Sequence, residues 1–283
     1  MSLLPPDFQF SQRNLQDYVD CRRRFQLRFL QGLVWPAVEV EPHLEHEQRM
    51  QSGSAFHRLV QQHLLGVPPE RLSVMLESGN ENLQRWWENY LGFVEGLGLA
   101  ENKLVEATLT APFGSYRLVA KYDLIYWRQE DAGSKVTIVD WKTSLNRPPR
   151  SWLADRLQTR IYPYLLVNAG PPFTAGERLQ PEQVEMLYWF AEHPHEPERF
   201  AYDSKGYQLD QEYLTGLIQE IEGLTEDQFF LTDDEIKCGF CTYRSLCDRG
   251  VGAGTFDPLE TDQETDGDDD FSLDFDHIAE IEF

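Results

Sequence analysis

The sequence of 283 residues contains no run of about 20 uncharged apolar residues, so nothing in it reads as a membrane-spanning helix. Its opening stretch, MSLLPPDFQFSQRN, has neither the basic nor the apolar segment of a secretory signal; a cytoplasmic protein without membrane attachment is the expectation. Cysteine is scarce. Four in a chain this long cannot form a disulfide scaffold, so any shared role points toward metal binding or catalysis. No G-x-x-x-x-G-K-[ST] phosphate-binding loop occurs, which excludes an NTP-driven motor of that type, and there is no internal repeat. Basic residues are also few, 25 against 48 acidic ones for a net charge of −23, and none follows Arg249. Such a chain has no global field that would attract nucleic acid. Arginines nevertheless cluster at Arg22, Arg23, Arg24 and Arg28, and again at Arg147, Arg150, Arg156 and Arg160. A local stripe of this kind can hold phosphates on an acidic protein.

Apolar material is plentiful. Hydrophobic residues make up 41% of the chain, with 7 Trp, 12 Tyr and 17 Phe, which excludes wholesale disorder. Helical spacing predicts helices over 11–31 with Ser11 as N-cap, 53–65, 81–97, 151–167 and 209–224. Alternation predicts strands over 103–111 and 116–127, joined as a hairpin, with further strands over 136–141 and 184–190. This order predicts an α/β fold, a small mixed central sheet flanked by helices, with a helical N-terminal part and a cysteine-rich C-terminal segment. Trp86, Trp87, Tyr90 and Phe93 could stack on bases, but their period favours core packing. Residues 1–250 read as a single domain and 251–283 as an acidic, disordered tail.

The most informative segment is VTIVDWKTS, residues 136–144. Strand alternation sends Asp140 and Lys142 to one face and Trp141 to the other. A carboxylate two residues from a lysine at a strand end suits metal-assisted phosphodiester hydrolysis: the acid holds Mg²⁺ or Mn²⁺, and the ammonium positions water and offsets phosphate charge. Asp123, in an otherwise apolar strand, strengthens this reading, because an isolated buried carboxylate is costly unless paired or metal-bound. If the two strands are neighbours, Asp123 and Asp140 can share a cation. His57 is expected in the first turns of a helix, and Gln158 and Tyr162 lie four residues apart on one helix face.

The order G-x-x-x-H, Asp, D-x-K-T, Q-x-x-x-Y resembles the RecB-like branch of the PD-(D/E)xK nuclease superfamily, as does the opening FSQRNLQDYVDCRRRFQLRFL. The likeness spans about residues 8–248. It implies a restriction-endonuclease-like core with His57, Asp123, Asp140 and the Trp141 carbonyl as ligands of Mg²⁺ or Mn²⁺. It further implies Lys142 as catalytic lysine, with Gln158 and Tyr162 orienting DNA and site side chains. Glu106 is a lesser candidate for support. The sequence departs from the pattern at Ala120, where glycine is expected, and at Trp141, where tyrosine is usual.

Cys21 stands far from Cys238, Cys241 and Cys247, which read C-x₂-C-x₅-C. Four thiolates can close around a [4Fe–4S] cluster or around Zn²⁺, and spacing does not separate the two. One cysteine before the nuclease motifs and three after them is similar to AddB-type nuclease domains and CRISPR-associated RecB-like exonucleases. That resemblance implies a structural [4Fe–4S] cluster joining the two ends of the domain. The resulting expectation is a metal-dependent deoxyribonuclease, an exonuclease on single-stranded or frayed DNA ends, in DNA repair or CRISPR adaptation, with a helicase or an adaptation protein as partner. The alternative is a non-catalytic iron–sulfur or zinc DNA-binding subunit. The tail, which alternates acids with Phe271, Phe275, Ile278 and Phe283, reads as a solubilising segment or a docking peptide.

Overall fold

The computed structural model describes residues 2–33, 41–76, 80–99, 102–130, 133–169, 178–239 and 241–250; the acidic tail and its expected docking role lie outside them. Strand β1 (Gln9–Ser11) leads directly into helix α1 (Gln12–Asp20). Ser11 caps that helix as expected. Its hydroxyl accepts the Asn14 N–H at 3.3 Å, while the Asn14 side chain accepts the Ser11 N–H at 2.9 Å. The single helix expected over 11–31 is broken at Cys21, which is extended at φ −161°, ψ 109°. The chain resumes as α2 (Arg22–Phe25) and a π-helical turn over Gln26–Leu30. Helical periodicity misses this break because Leu15, Tyr18 and Phe25 enter the same core on both sides of it.

Helix α3 (Glu41–Leu64) begins well before the expected 53–65, so His57 lies deep inside a helix and not in its first turns. The short α4 (Pro69–Ser73) precedes α5 (Glu81–Leu97), whose bounds are those predicted. Asn80 Oδ1 accepts the Leu83 N–H at 3.1 Å, and Gly98 closes the helix in the left-handed region at φ 53°, where a side chain would be strained. Trp86, Trp87 and Tyr90 are buried and Phe93 packs beside them, as core periodicity predicts.

The sheet comprises β1, β2 (Lys103–Phe113), β3 (Tyr116–Glu130), β4 (Gly133–Lys142), β5 (Val184–Phe190) and β6 (Glu198–Ala201). β1–β3 and β4–β5 pair parallel and the other pairs antiparallel, so the sheet is mixed. The helix expected over 151–167 is two, α6 (Arg150–Asp155) and α7 (Leu157–Ala169), separated by the extended Arg156. Helix α8 (Ser204–Gly223) follows β6, capped by Asp203, which accepts the Gly206 N–H at 2.6 Å. Two cores sandwich the sheet. Leu15, Phe25, Ile161, Leu165 and Leu214 cover one face; Phe56, Leu59, Trp86, Trp87 and Tyr90 cover the other. Strand β4 serves both, with Val136 and Ile138 on the first face and Val139 and Trp141 on the second.

Candidate active site

Strand β3 has more partners than a strand has edges. β2 follows one edge nearly throughout, so the other is divided between β1, at Arg117–Val119, and β4, from Leu124 to Glu130. Residues 120–123 fall in the gap. The β3–β4 ladder ends at Leu124 and Val139, and one more rung would set Asp123 opposite Asp140. There the strands part, and Asp123 Oδ2 instead accepts the Trp141 N–H at 2.9 Å. On the opposite edge, pairing skips Glu106, a non-glycine residue at φ +51°. Backbone of that kind costs on the order of 1–3 kcal/mol and persists where the surroundings demand it. The facing of the strands reverses here too: Tyr122 and Ala107 belong to the first core, Leu124 and Val105 to the second. Glu106, Asp123 and Asp140 thus form a row across three strands at the level where regular pairing fails.

Helix α3, anchored by buried Phe56, Leu59 and Val60, brings His57 to this opening. Its Nδ1 lies 3.6 Å from Asp123 Oδ1, with a quarter of the imidazole exposed. Burial opposes protonation, but the field of Asp123, reinforced by Asp140 and Glu106, outweighs it and raises the histidine pKa to about 9. For Asp123, burial favours the neutral acid. The His57 imidazolium, the Trp141 N–H and the Lys142 ammonium overcome it and hold the carboxyl below its usual range.

Asp140 and Lys142 share a face, as alternation predicts, with Lys142 Nζ 3.1 Å from Asp140 Oδ2. Gln158, from α7, donates its side-chain N–H to Asp140 Oδ1 at 2.6 Å. Asp140, Lys142 and Gln158 are each at most 7% exposed. Trp141 turns away into the opposite core. The Tyr162 ring packs tilted against Tyr122 with centres 4.8 Å apart, and the Tyr122 hydroxyl donates to the Tyr162 carbonyl at 2.9 Å. This contact ties α7 to β3 one residue before Asp123. Glu106 pairs with Lys121 at 3.0 Å, and burial together with the nearby Asp123 raises its pKa. Sequence reasoning missed Lys121, whose only signal was its alternation with Asp123 in β3. Among the described residues, no three His, Cys, Asp or Glu side chains already form a metal-binding group.

Most of the expected arginine stripe is neutralised, Arg156 being held on the Trp152 ring and Arg23 on Gln26 instead of on a carboxylate. Arg22 pairs with Glu220, Arg24 and Arg28 with Asp17, Arg147 and Arg150 with Glu198, and Arg160 with Asp210. Local sequence showed the cations but not their distant carboxylates. All four cysteines line one small cavity, Cys21 at the α1–α2 break and the others on short 3₁₀ turns and their link. Burial raises the thiols of Cys238, Cys241 and Cys247, while Arg24 counters it at Cys241. Among the described residues no helix is long and apolar enough to cross a membrane.

A mixed sheet parted at two acids, with a lysine two residues after the second, defines a protein with a restriction-endonuclease-like fold. The chain belongs to the PD-(D/E)XK nuclease superfamily, whose sequence profile matches residues 9–248. No curated protein matches it. Among solved structures it is similar to SSO0001 at 16% identity and a TM-score of 0.39, over 84% of this chain and 85% of that one. It is also similar to a candidate exonuclease from Eubacterium rectale at 10% identity and a TM-score of 0.44, over 75% and 79% of the two chains.

Proposed function

We propose that the protein is a Mg²⁺- or Mn²⁺-dependent deoxyribonuclease of the RecB-like branch, an exonuclease on single-stranded or frayed DNA ends. The observation that carries this reading is the convergence of His57, Asp123, Asp140 and Lys142 on the opening between β3 and β4. The donor set, carboxylate and carbonyl oxygens with one imidazole, fits a hard divalent ion held by His57, Asp123, Asp140 and the Trp141 carbonyl. When bound, that ion lowers the pKa of a water molecule and stabilises charge on the phosphate. His57 must give up its proton to serve, so acid and metal compete for its ring nitrogen. Gln158 fixes the Asp140 carboxylate with one oxygen toward Lys142. Lys142 holds its ammonium in a dry setting, where it offsets phosphate charge and orients the attacking water. Tyr162 keeps the helix bearing Gln158 in place.

The thiol cavity supports a structural metal group. Four sulfur donors fit a [4Fe–4S] cluster or Zn²⁺, and the field of Arg24 favours thiolate at Cys241. The AddB-like placement of the cysteines favours the cluster. The test is cleavage of end-labelled oligonucleotides in Mn²⁺ by wild type, Lys142→Ala and Asp123→Ala, using protein purified without oxygen. Shortening from one end by wild type alone is expected, from brown protein that contains iron and sulfide. Equal cleavage by all three removes the nuclease reading; colourless zinc protein removes the iron–sulfur one.

A further inference from the structure

A groove of about 350 Å³ lies between α1, α3 and α6, separate from the opening that holds the carboxylates. It shares two walls with that opening. On α3, Met50 lines the groove seven residues before His57, two turns along the same side of the helix, or about 10 Å. On the other wall, the Leu157 N–H donates to Gln16 of the groove at 3.5 Å, and the next residue, Gln158, binds Asp140. The groove and the carboxylates are therefore flanked by the same two elements, α3 and the start of α7.

Its lining is cationic in a protein of net charge −23. Five Lys and Arg side chains face three Asp, one of them the exposed Asp155 at the rim. Arg24, Arg28 and Lys237 are bound by Asp17 and Asp20. Arg13 and Arg156 have no carboxylate partner among the described residues. Arg156 is also stacked, its guanidinium 4.6 Å from the Trp152 ring centre, at the extended link between α6 and α7. A flat cation held on an indole presents a π surface and a charge together, which suits a base and its phosphate. The volume admits a nucleotide or two and no duplex.

We propose that this groove is the track by which one nucleic-acid strand reaches the active site, with Arg156 on Trp152 as a stacking platform for a base and Arg13 as a phosphate contact. The proposal rests on the nuclease reading and supplies its preference for single strands. It is tested by fluorescence anisotropy on the full chain in EDTA, comparing labelled dT20 with an abasic strand carrying the same phosphates. Wild type binds dT20 more tightly by roughly 5- to 150-fold, the value of one stacked base. Arg156→Lys keeps the charge and loses that preference. Arg13→Ala keeps the preference but lowers the slope of log affinity against log salt by about 0.7. Equal wild-type binding of both strands, or a preference retained by Arg156→Lys, overturns the track. Wild-type cleavage in Mn²⁺ is read in parallel: its absence sinks the nuclease reading, whereas cleavage with an unaltered Arg156→Lys preference sinks the track alone.

Discussion

Replacing His57 by Gln tests the electrostatics of the site directly. In the unfolded chain a histidine titrates near 6.5; in the fold this one is raised to about 9. The folded state holds the proton more tightly, so the pairing adds its full stability below about pH 6.5 and loses it as pH climbs through 9. Its size follows from the structure. Unit charges 3.6 Å apart attract by about 4–5 kcal/mol at an effective dielectric constant near 20. The rise from 6.5 to about 9 corresponds to about 3 kcal/mol, less than the bare attraction because burying the imidazolium opposes it. Urea unfolding in chelator, from pH 6 to 9.5, should show the wild-type advantage over His57→Gln shrinking by about 3 kcal/mol. A constant advantage across that range refutes the imidazolium–carboxylate pairing. With saturating Mn²⁺ the trend reverses, since only the neutral imidazole can ligate, and metal stabilisation grows from pH 6.5 to 9.

Gln158→Ala frees one oxygen of Asp140 from its 2.6 Å donor; Mn²⁺ affinity should fall by about 10- to 100-fold in titration calorimetry, with the fold intact by circular dichroism. Cys21→Ser removes the one thiol supplied by the N-terminal part, so metal content should drop and the thermal midpoint with it, both measured on one preparation. Phe56→Ala empties a fully buried site between Trp86, Tyr90 and Trp189 and should cost about 3–5 kcal/mol in urea unfolding.

Long periodic elements were legible in the sequence because they obey one period each. The bounds of α5 and β5 come out as expected, and Asp140 and Lys142 share a face through simple alternation. What was illegible is non-local or aperiodic. The extended Cys21 and Arg156 interrupt helices whose apolar stripes continue across the break. β6 is four residues long and β1 three, too short to show alternation. The arginine clusters read as a surface because Glu220, Glu198 and Asp210, which neutralise much of them, lie tens to hundreds of residues away. Glu106 was expected only as lesser support, and nothing in the sequence marked its backbone angle of φ +51°.

The site sits where it does because β3 cannot be paired along its whole length. With β1 and β4 dividing one edge, backbone groups near the gap need partners from outside the ladder. Asp123 supplies one by taking the Trp141 N–H, and in doing so turns its other oxygen toward His57. The same parting leaves Asp140 without a cross-strand neighbour on β3, so Gln158 and Lys142 hold it from α7 and from its own strand. One defect in sheet pairing thus orients both acids. Its edges are fixed from both cores: Tyr122 and Tyr162 lock it from the α7 side, and Phe56 and Trp141 from the α3 side. A regular ladder continued by one rung would bring two like-charged carboxylates face to face with no donor for either, the arrangement that sheets disfavour most. The opening is therefore the stable arrangement of this sequence, and the geometry of the candidate site is its consequence.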